Sequence, residues 1–245
     1  MDEGHRDHDA VAAAVRSRYW TPAPTMGYLV ESRPYGVLAT LGGARRAIVG
    51  VDDLSNSDIA VLLADDVTQV WVEDRQRDEL VTPRLASAGY EAGPATTYRA
   101  LVGGVRAVAL SGLVLKPVSD PVDFAWRKLT YFADGSPPSE DDLAREMATR
   151  EGERDLADFY LVEVNGVVAS ILAAYRGEDV TAYLLASDPT RRGVGVGSGA
   201  LAAWVKATPA RSHVINALDG GRPEQLYRRL GFTDEVYWYR RFERA

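Results

Sequence analysis

Asp188-Pro189-Thr190-Arg191-Arg192-Gly193-Val194-Gly195-Val196-Gly197-Ser198-Gly199 is the stretch on which the reading of this chain turns. Four glycines alternate across the start of Gly197 to Ala207, which reads as a helix. Alternating glycine removes side chains, so successive backbone N–H groups can point one way. With the positive end of the helix they make an anion cradle. Arg191 and Arg192 add charge at its rim. The ligand this chemistry implies is a phosphate or pyrophosphate. A glycine-rich turn that holds nothing is the competing reading, and two arginines beside strong helix breakers at a helix start weigh against it.

Three kinds of phosphate ligand can be weighed on the residues. Gly195-x-Gly197-x-x-Ala200, with Asp219 downstream, is a loose match to a dinucleotide fingerprint. In that fingerprint the first glycine follows the strand directly, whereas here Asp188 to Arg192 intervene. No repeated strand–helix–strand array accompanies it, and too little chain remains to build one. The loop also lacks the Gly-Lys-Ser/Thr ending that nucleoside triphosphate hydrolysis needs.

Working outward, a strand over Val180 to Ser187 leads into the loop. After the helix come a strand (His213 to Leu218), a helix (Pro223 to Leu230) and a last strand (Val236 to Phe242). Upstream, Asn165-Gly166 joins Phe159–Val164 to Val167–Tyr175 as a hairpin, since Asn-Gly between apolar runs is a strong turn signal. Before that lie a strand over Ala107 to Leu115, a helix over Pro121 to Phe132 capped by Asp120, and a helix opened by Glu140-Asp141-Asp142 and reaching about Thr149. Trp126, Tyr131 and Phe132 read as core residues. The pattern is a mixed α/β sheet with helices on its faces.

A smaller α/β block precedes it. A helix is expected over Asp9 to Tyr19, stopped by Thr21-Pro22-Ala23-Pro24. Strand-like runs follow: Tyr35 to Leu41 ending in Gly42-Gly43, Arg46 to Val51, and the apolar runs Ile59 to Ala64 and Val67 to Val72. A helix over Arg77 to Ala88 ends at Gly89, and a strand over Thr96 to Val102 precedes Gly103-Gly104. The boundary is placed there, giving an N-terminal domain over residues 1–105 and a second over residues 106–245. Leu85-Ala86-Ser87-Ala88-Gly89-Tyr90 before a Tyr98-Arg99 strand echoes Tyr227-Arg228-Arg229-Leu230-Gly231-Phe232 before Tyr239-Arg240. That echo suggests duplication, with chance as its rival, since glycine after a helix is common.

Composition narrows the function. The chain has 245 residues, 46% hydrophobic and 26% charged, as a globular protein has. Its 35 acidic and 28 basic residues give a net charge of −7. Nucleic-acid affinity comes from Lys and Arg neutralising phosphates, so no nucleic-acid partner is expected. There is no cysteine, which removes disulfides, thiolate metal sites and a cysteine nucleophile together. His5 and His8 have no metal-site spacing, and no metal is expected. The charged start and the absence of a long apolar run lead us to expect a cytoplasmic protein with no membrane partner.

Arg192-x-x-Gly195-x-Gly197 resembles the Arg/Gln-x-x-Gly-x-Gly/Ala motif of the GCN5-related N-acetyltransferases, the GNAT superfamily. Gln225-Leu226-Tyr227-Arg228-Arg229-Leu230-Gly231-Phe232 resembles that family's later Leu-Tyr-x-x-Leu-Gly-Phe signature, at the right spacing for helix, strand, helix. The resemblance covers about residues 107–243 and implies a GNAT-like mixed sheet. The N-terminal block would be at most a degenerate copy, the whole being a tandem arrangement. It has no Arg-x-x-Gly-x-Gly, and Leu85 stands where Tyr227 stands in the echo.

The resemblance also implies roles. The loop amides of Arg192, Gly193, Val194, Gly195, Val196, Gly197 and Ser198 would hold the pyrophosphate of acetyl-CoA. Leu185, Ala186 and Ser187 would pair with its pantetheine arm, a backbone N–H near Leu185 would polarise the thioester carbonyl, and Asn216 or Ala217 would line the gap between two splayed strands. Tyr227 matches the family's general acid, which protonates the leaving thiolate. The general base is open among Glu163, Glu178 and Asp179, each also readable as a surface charge. The acceptor would be a primary amine of a small molecule or a protein, and Tyr131, Phe132 and Asp134 are candidates for its pocket. A non-catalytic acyl-CoA-binding sensor is the alternative. The N-terminal block is expected to restrict the acceptor cleft or to form a homodimer interface.

Overall fold

The computed structural model describes residues 29–41, 44–106 and 110–245. The expected helix over Asp9 to Tyr19, the Gly42-Gly43 turn, and residues 107–109 of the expected strand over Ala107 to Leu115 lie outside the described residues. The described residues divide into two compact units: those up to 98, with 217–224 and 235–245, in the first, and those of 99–216 and 225–234 in the second. The first changeover falls between Tyr98 and Arg99. The chain then returns to the first unit twice, so the segment after Asp234 belongs with the N-terminal block.

The first unit begins with a meander of β1 (Leu29–Arg33), β2 (Gly36–Leu41) and β3 (Ala44–Val49). A helix, α1 (Asn56–Ala64), crosses to β4 (Gln69–Val72), which pairs parallel with β3. Ile59 to Ala64 is therefore helix, not strand. Its start is fixed by a capping box, in which the Ser55 side chain accepts from the Asp58 N–H and the Asp58 carboxylate accepts from the Ser55 N–H. A second helix, α2 (Arg75–Ser87), leads to β5 (Tyr90–Leu101). The last strand, β11 (Phe232–Arg244), runs antiparallel to β4, pairing Arg240 to Glu243 with Val72 to Gln69, and has β5 on its other side. The core of this unit contains Tyr35, Leu54, Leu62, Val81, Leu85 and Phe242.

The second unit has strand order β10-β9-β8-β7-β6. Its members are β6 (Leu113–Pro117), β7 (Ala157–Val164), β8 (Val167–Tyr175), β9 (Asp179–Ser187) and β10 (Ser212–Leu218, the last two residues falling in the first unit). β6 to β9 are antiparallel neighbours, and only β9 and β10 run parallel. That excludes the repeated parallel array of a dinucleotide fold. Asn165 sits at φ +52° in the hairpin turn, as such turns require.

Between β6 and β7 run α3 (Pro121–Phe132), with Asp120 accepting from the Val122 N–H, and α4 (Glu140–Glu153), with Ser139 accepting from the Asp142 N–H. Phe124 and Tyr131 of α3 pack with Ile171, Ala173, Leu184 and Ala186 of the sheet. Of the three aromatics expected in the core only Tyr131 is there; Trp126 and Phe132 are exposed, because the helix has turned that stripe away from the sheet. The remaining helices are α5 (Val196–Ala207) and α6 (Arg222–Leu230). Among the described residues no helix is long and apolar enough to cross a membrane.

Candidate functional site

The glycine loop follows the last residue of β9. Pro189–Arg191 form one 3-10 turn, with the Asp188 carboxylate accepting from the Thr190 N–H at 2.8 Å. α5 then starts at Val196 with Gly195 as its N-cap. Helices α1 to α4 are each capped by a side chain of their own, from Ser55, Asp74, Asp120 and Ser139. α5 has no side-chain cap. Its first hydrogen bond runs from Gly199 N to Gly195 O at 2.9 Å, so helix geometry leaves the N–H groups of Val196, Gly197 and Ser198 without intrahelical partners.

The four glycines have separate causes. Gly193 and Gly195 sit at φ +82° and +86°, where any side chain is strained. At Gly199 a Cβ would lie 2.9 Å from Leu113 Cδ1 and 3.1 Å from Leu110 Cβ, so this glycine lets the helix lie close on its neighbours. Gly197 is required by neither cause. Its φ is ordinary, and a Cβ there would meet nothing nearer than Leu185 Cδ2 at 3.7 Å and Ser187 Oγ at 3.9 Å. Packing within the chain leaves Gly197 unexplained.

Leu185, Ala186 and Ser187 form the end of β9 beside this cradle. β9 pairs with β10 only from Asp179 to Ala182, against Ser212 to Ile215. β9 then continues for five residues and β10 for three, with no pairing between them. Asn216 is the first β10 residue past the last pair. The parting coincides with a bulge. Tyr175, Ala173 and Ile171 of β8 pair with Thr181, Leu184 and Ala186, so Tyr183 is inserted as an extra residue. The insertion shifts the alternation, sending Leu184 and Ala186 toward α3 and leaving Leu185 and Ser187 toward α5.

Arg192 does not point its guanidinium into the cradle. It donates to Asp134 Oδ1 and to the Tyr131 carbonyl, both at 2.6 Å, tying the loop to the C-terminal end of α3, where a cation is favourable. Of the residues named for the acceptor pocket, Tyr131 and Asp134 are thus brought to the loop, and Phe132 is exposed. Val194 is exposed and Val196 is buried under the helix. Tyr227 lies on α6, buried, its ring tilted against Phe232 at 6.5 Å. Burial pushes its phenol up to about 12, so it stays protonated near neutrality.

The base candidates are engaged elsewhere. Glu163 pairs with Lys116 at 2.6 Å on the β6–β7 edge, and Asp179 is buried under Arg211 at the start of β9, the end remote from the loop. Glu178 is 85% exposed in its side chain. His213 is structural: its Nε2 lies 2.7 Å from the Thr208 carbonyl, its ring meets Trp204 edge-on, and burial lowers its pKa. Asp219, considered for a ribose contact, is held by Arg75 at 2.7 Å and by the Trp238 indole at 3.2 Å.

A cavity of about 340 Å³ lies at the other end of this sheet, lined by Pro121, Phe124, Met147, Arg150 and Phe159 among others. It adjoins Ala157 and Arg176, at the β8–β9 turn, and not the cradle. Sequence reading missed Tyr183 and the α4 side chains that hold it. A strand's register depends on its partner, so the bulge has no signal in the strand's own composition.

No protein-family model and no curated protein matches the chain. Solved structures do. A GCN5-related N-acetyltransferase from Kribbella flavida superposes with a TM-score of 0.64 at 14% identity, over 96% of each chain. A functionally unknown conserved protein from Staphylococcus epidermidis gives 0.66 at 13% identity, over 88% of this chain and 93% of that one. A tandem GNAT protein from the clavulanic acid biosynthesis pathway gives 0.54 at 16% identity, over 85% and 78%.

Proposed function

We propose that this chain, which has the fold of the GCN5-related N-acetyltransferases, binds acetyl-CoA in its second unit and transfers the acyl group directly to a primary amine of a small molecule or protein. The observation that carries this reading is the N-terminus of α5, left open among capped helices and fronted by a glycine that packing does not require. Three N–H groups at a helix's positive end suit a pyrophosphate. Gly193 and Gly195 bring no side chain to the approach, and Arg192 ties the loop to Asp134 and the Tyr131 carbonyl.

The donor supplies an activated thioester. The unpaired edge of β9 from Tyr183 to Ser187 offers backbone donors and acceptors to its pantetheine arm, as a strand edge does to an added strand. A β9 N–H near Leu185 would face the thioester carbonyl and stabilise the charge that develops there. The Tyr227 phenol, kept protonated by burial, gives its proton to the departing thiolate sulfur. The attacking amine must arrive neutral, and Glu163 and Asp179 are committed to Lys116 and Arg211.

That commitment favours a second reading, an acyl-CoA sensor without turnover. A calorimetric titration with acetyl-CoA, with NAD and NADP beside it, tests what the two readings share. Both expect one acetyl-CoA site per chain and no dinucleotide binding, and absence of acetyl-CoA binding would withdraw both. Thiol release across a panel of amines then separates them, since the sensor releases none.

A further inference from the structure

The bulge that parts β9 from β10 has no glycine or proline to cause it, for its residues read Thr181-Ala182-Tyr183-Leu184. What distinguishes it is where the inserted side chain goes. The Tyr183 hydroxyl donates to Glu153 Oε2 at 2.7 Å and accepts from Arg150 Nη1 at 2.8 Å, both on the last turn of α4. The Tyr175 hydroxyl donates to the other Glu153 oxygen at 3.2 Å, and the two tyrosine rings stack at 4.2 Å and 17°. Arg150 contacts Glu146 at 2.6 Å without hydrogen-bond alignment, and Glu146 accepts from Lys128 of α3 at 2.5 Å. Glu146, Arg150 and Glu153 are all buried.

Buried Glu146, Arg150 and Glu153 and the half-buried Lys128 are thereby brought together with two phenols. Enclosing such charges costs desolvation that their attraction only roughly offsets, so the set is weak evidence for extra stability. Removing a buried partner outright would leave another charge uncompensated. Burial and the Glu153 charge both push the Tyr183 phenol up, so it remains a donor near neutrality.

We propose that Glu153 and Arg150 are positioning residues for the cofactor cleft, which they shape by gripping the hydroxyl of the inserted Tyr183. The proposal rests on the reading of that cleft as an acyl-CoA site. Strand faces alternate every residue, so without the insertion Leu185 and Ser187 would turn toward α3 and α4, away from the glycine helix. Pairing of β9 with β10 would also be free to run on past Ala182. Neither α4 residue need touch the donor; each acts through Tyr183 on the strand that does.

The test uses the full chain and two ligands: acetyl-CoA, which needs both the cradle and the β9 edge, and 3′-phosphoadenosine 5′-diphosphate, its nucleotide half, which needs the cradle alone. Tyr183→Phe keeps the ring and removes the grip. It should weaken acetyl-CoA binding about tenfold, the size of one hydrogen bond to a charged group, and leave the nucleotide half unchanged. Glu153→Gln keeps an acceptor for the phenol and should retain most of the acetyl-CoA affinity. It also serves as the measured variant if Tyr183→Phe folds poorly, with a selective loss, however small, confined to acetyl-CoA. Unchanged acetyl-CoA binding in both variants, or equal loss on both ligands, overturns the positioning role while the cleft stands. A wild-type chain that binds neither ligand removes the cleft and this proposal with it.

Discussion

In the first unit the chain leaves β3 at Val49, crosses Gly50-Val51-Asp52-Asp53-Leu54 and enters α1 through Ser55; in the second it leaves β9 at Ser187, crosses Asp188 to Arg192 and enters α5 through Gly195. The surroundings correspond. β1-β2-β3-α1-β4-α2-β5 and β7-β8-β9-α5-β10-α6-β11 repeat one order, each a meander followed by a parallel crossover. At the crossover the two are opposites. The first loop carries two acids, Asp52 held by Arg77 at 3.1 Å and Asp53 by Arg84 at 2.9 Å, where the second carries Arg191 and Arg192. Ser55 and Asp58 fill the end of α1, where α5 is open. β3 and β4 stay paired to their last residues, Val49 and Val72, where β9 and β10 part. The same framework thus carries an open helix end in one place and a capped one in the other, through three local changes: cap, charge and register.

The hardest blow to the open end is Gly195→Val. Its φ of +86° suits glycine, and a β-branched residue there either strains the loop by about 1–3 kcal/mol or rearranges it. Acetyl-CoA affinity should fall about 100-fold, the equivalent of roughly 2.7 kcal/mol. Titration of this variant beside an Asp52→Asn, Asp53→Asn pair sharpens the comparison. If the first unit takes no part in binding, the pair leaves affinity unchanged, and any second site it creates would show the closure to be charge alone.

Tyr227→Phe comes next and separates chemistry from binding. Leu85, its counterpart in the echo, is fully buried core and carries no proton. Losing a general acid typically costs about 100-fold or more in turnover, and acetyl-CoA affinity should stay at the wild-type level. Because burial pushes the phenol up from 10 to about 12, its protonated form persists up to about pH 10. Wild-type turnover should therefore show no alkaline loss from this group between pH 7 and 10. An alkaline decline in the wild type that Tyr227→Phe abolishes would mean the phenol is not held up as burial implies.

Much of this was legible in the sequence because it is local. The Asn165-Gly166 turn, the Asp120 cap and the later elements of the second block depend on neighbours in the chain and fall near where expected, whereas the strand expected over Ala107 to Leu115 begins only at Leu113, after a turn at Ser111-Gly112. The apolar run Ile59 to Ala64 was ambiguous by period alone, and the Ser55/Asp58 capping box that decides it lies just upstream. Three features were out of reach. That residues 235–245 join the first unit depends on β11 pairing with β4, which lies more than a hundred residues away in sequence. The bulge at Tyr183 depends on the register with β8. The exposure of Trp126 and Phe132 depends on how α3 is rotated on the sheet.

Two alanines sort the glycines of the open end. Gly199→Ala must force its Cβ against Leu113 and Leu110 and should cost about 1–3 kcal/mol of stability, read as a lower Tm. Gly197→Ala meets no such contact and gains helix propensity, so stability should rise by about 0.5–1 kcal/mol while acetyl-CoA affinity falls. Opposite signs for stability and affinity at Gly197 are the mark of a position reserved for a ligand. A Gly197→Ala chain that is more stable and binds as well as the wild type would return this glycine to an unexplained surface feature.

The mildest change probes the closed end. Ser55→Ala removes the side chain that accepts from Asp58 N and should cost about 1 kcal/mol, the ordinary value of an N-cap. Denaturant unfolding would show it as a lower midpoint at an unchanged slope. The loss is not what bears on the comparison. The variant reopens the N–H groups of α1 without supplying glycine, cation or splayed strands. If one acetyl-CoA still binds per chain with wild-type affinity, an open helix end alone does not make the site, and the second unit's glycines and parted β9 and β10 are needed as well. A second equivalent of acetyl-CoA bound by Ser55→Ala would instead mean that the side-chain cap is all that silences the first copy, and that Asp52, Asp53 and the unbroken β3–β4 ladder are incidental.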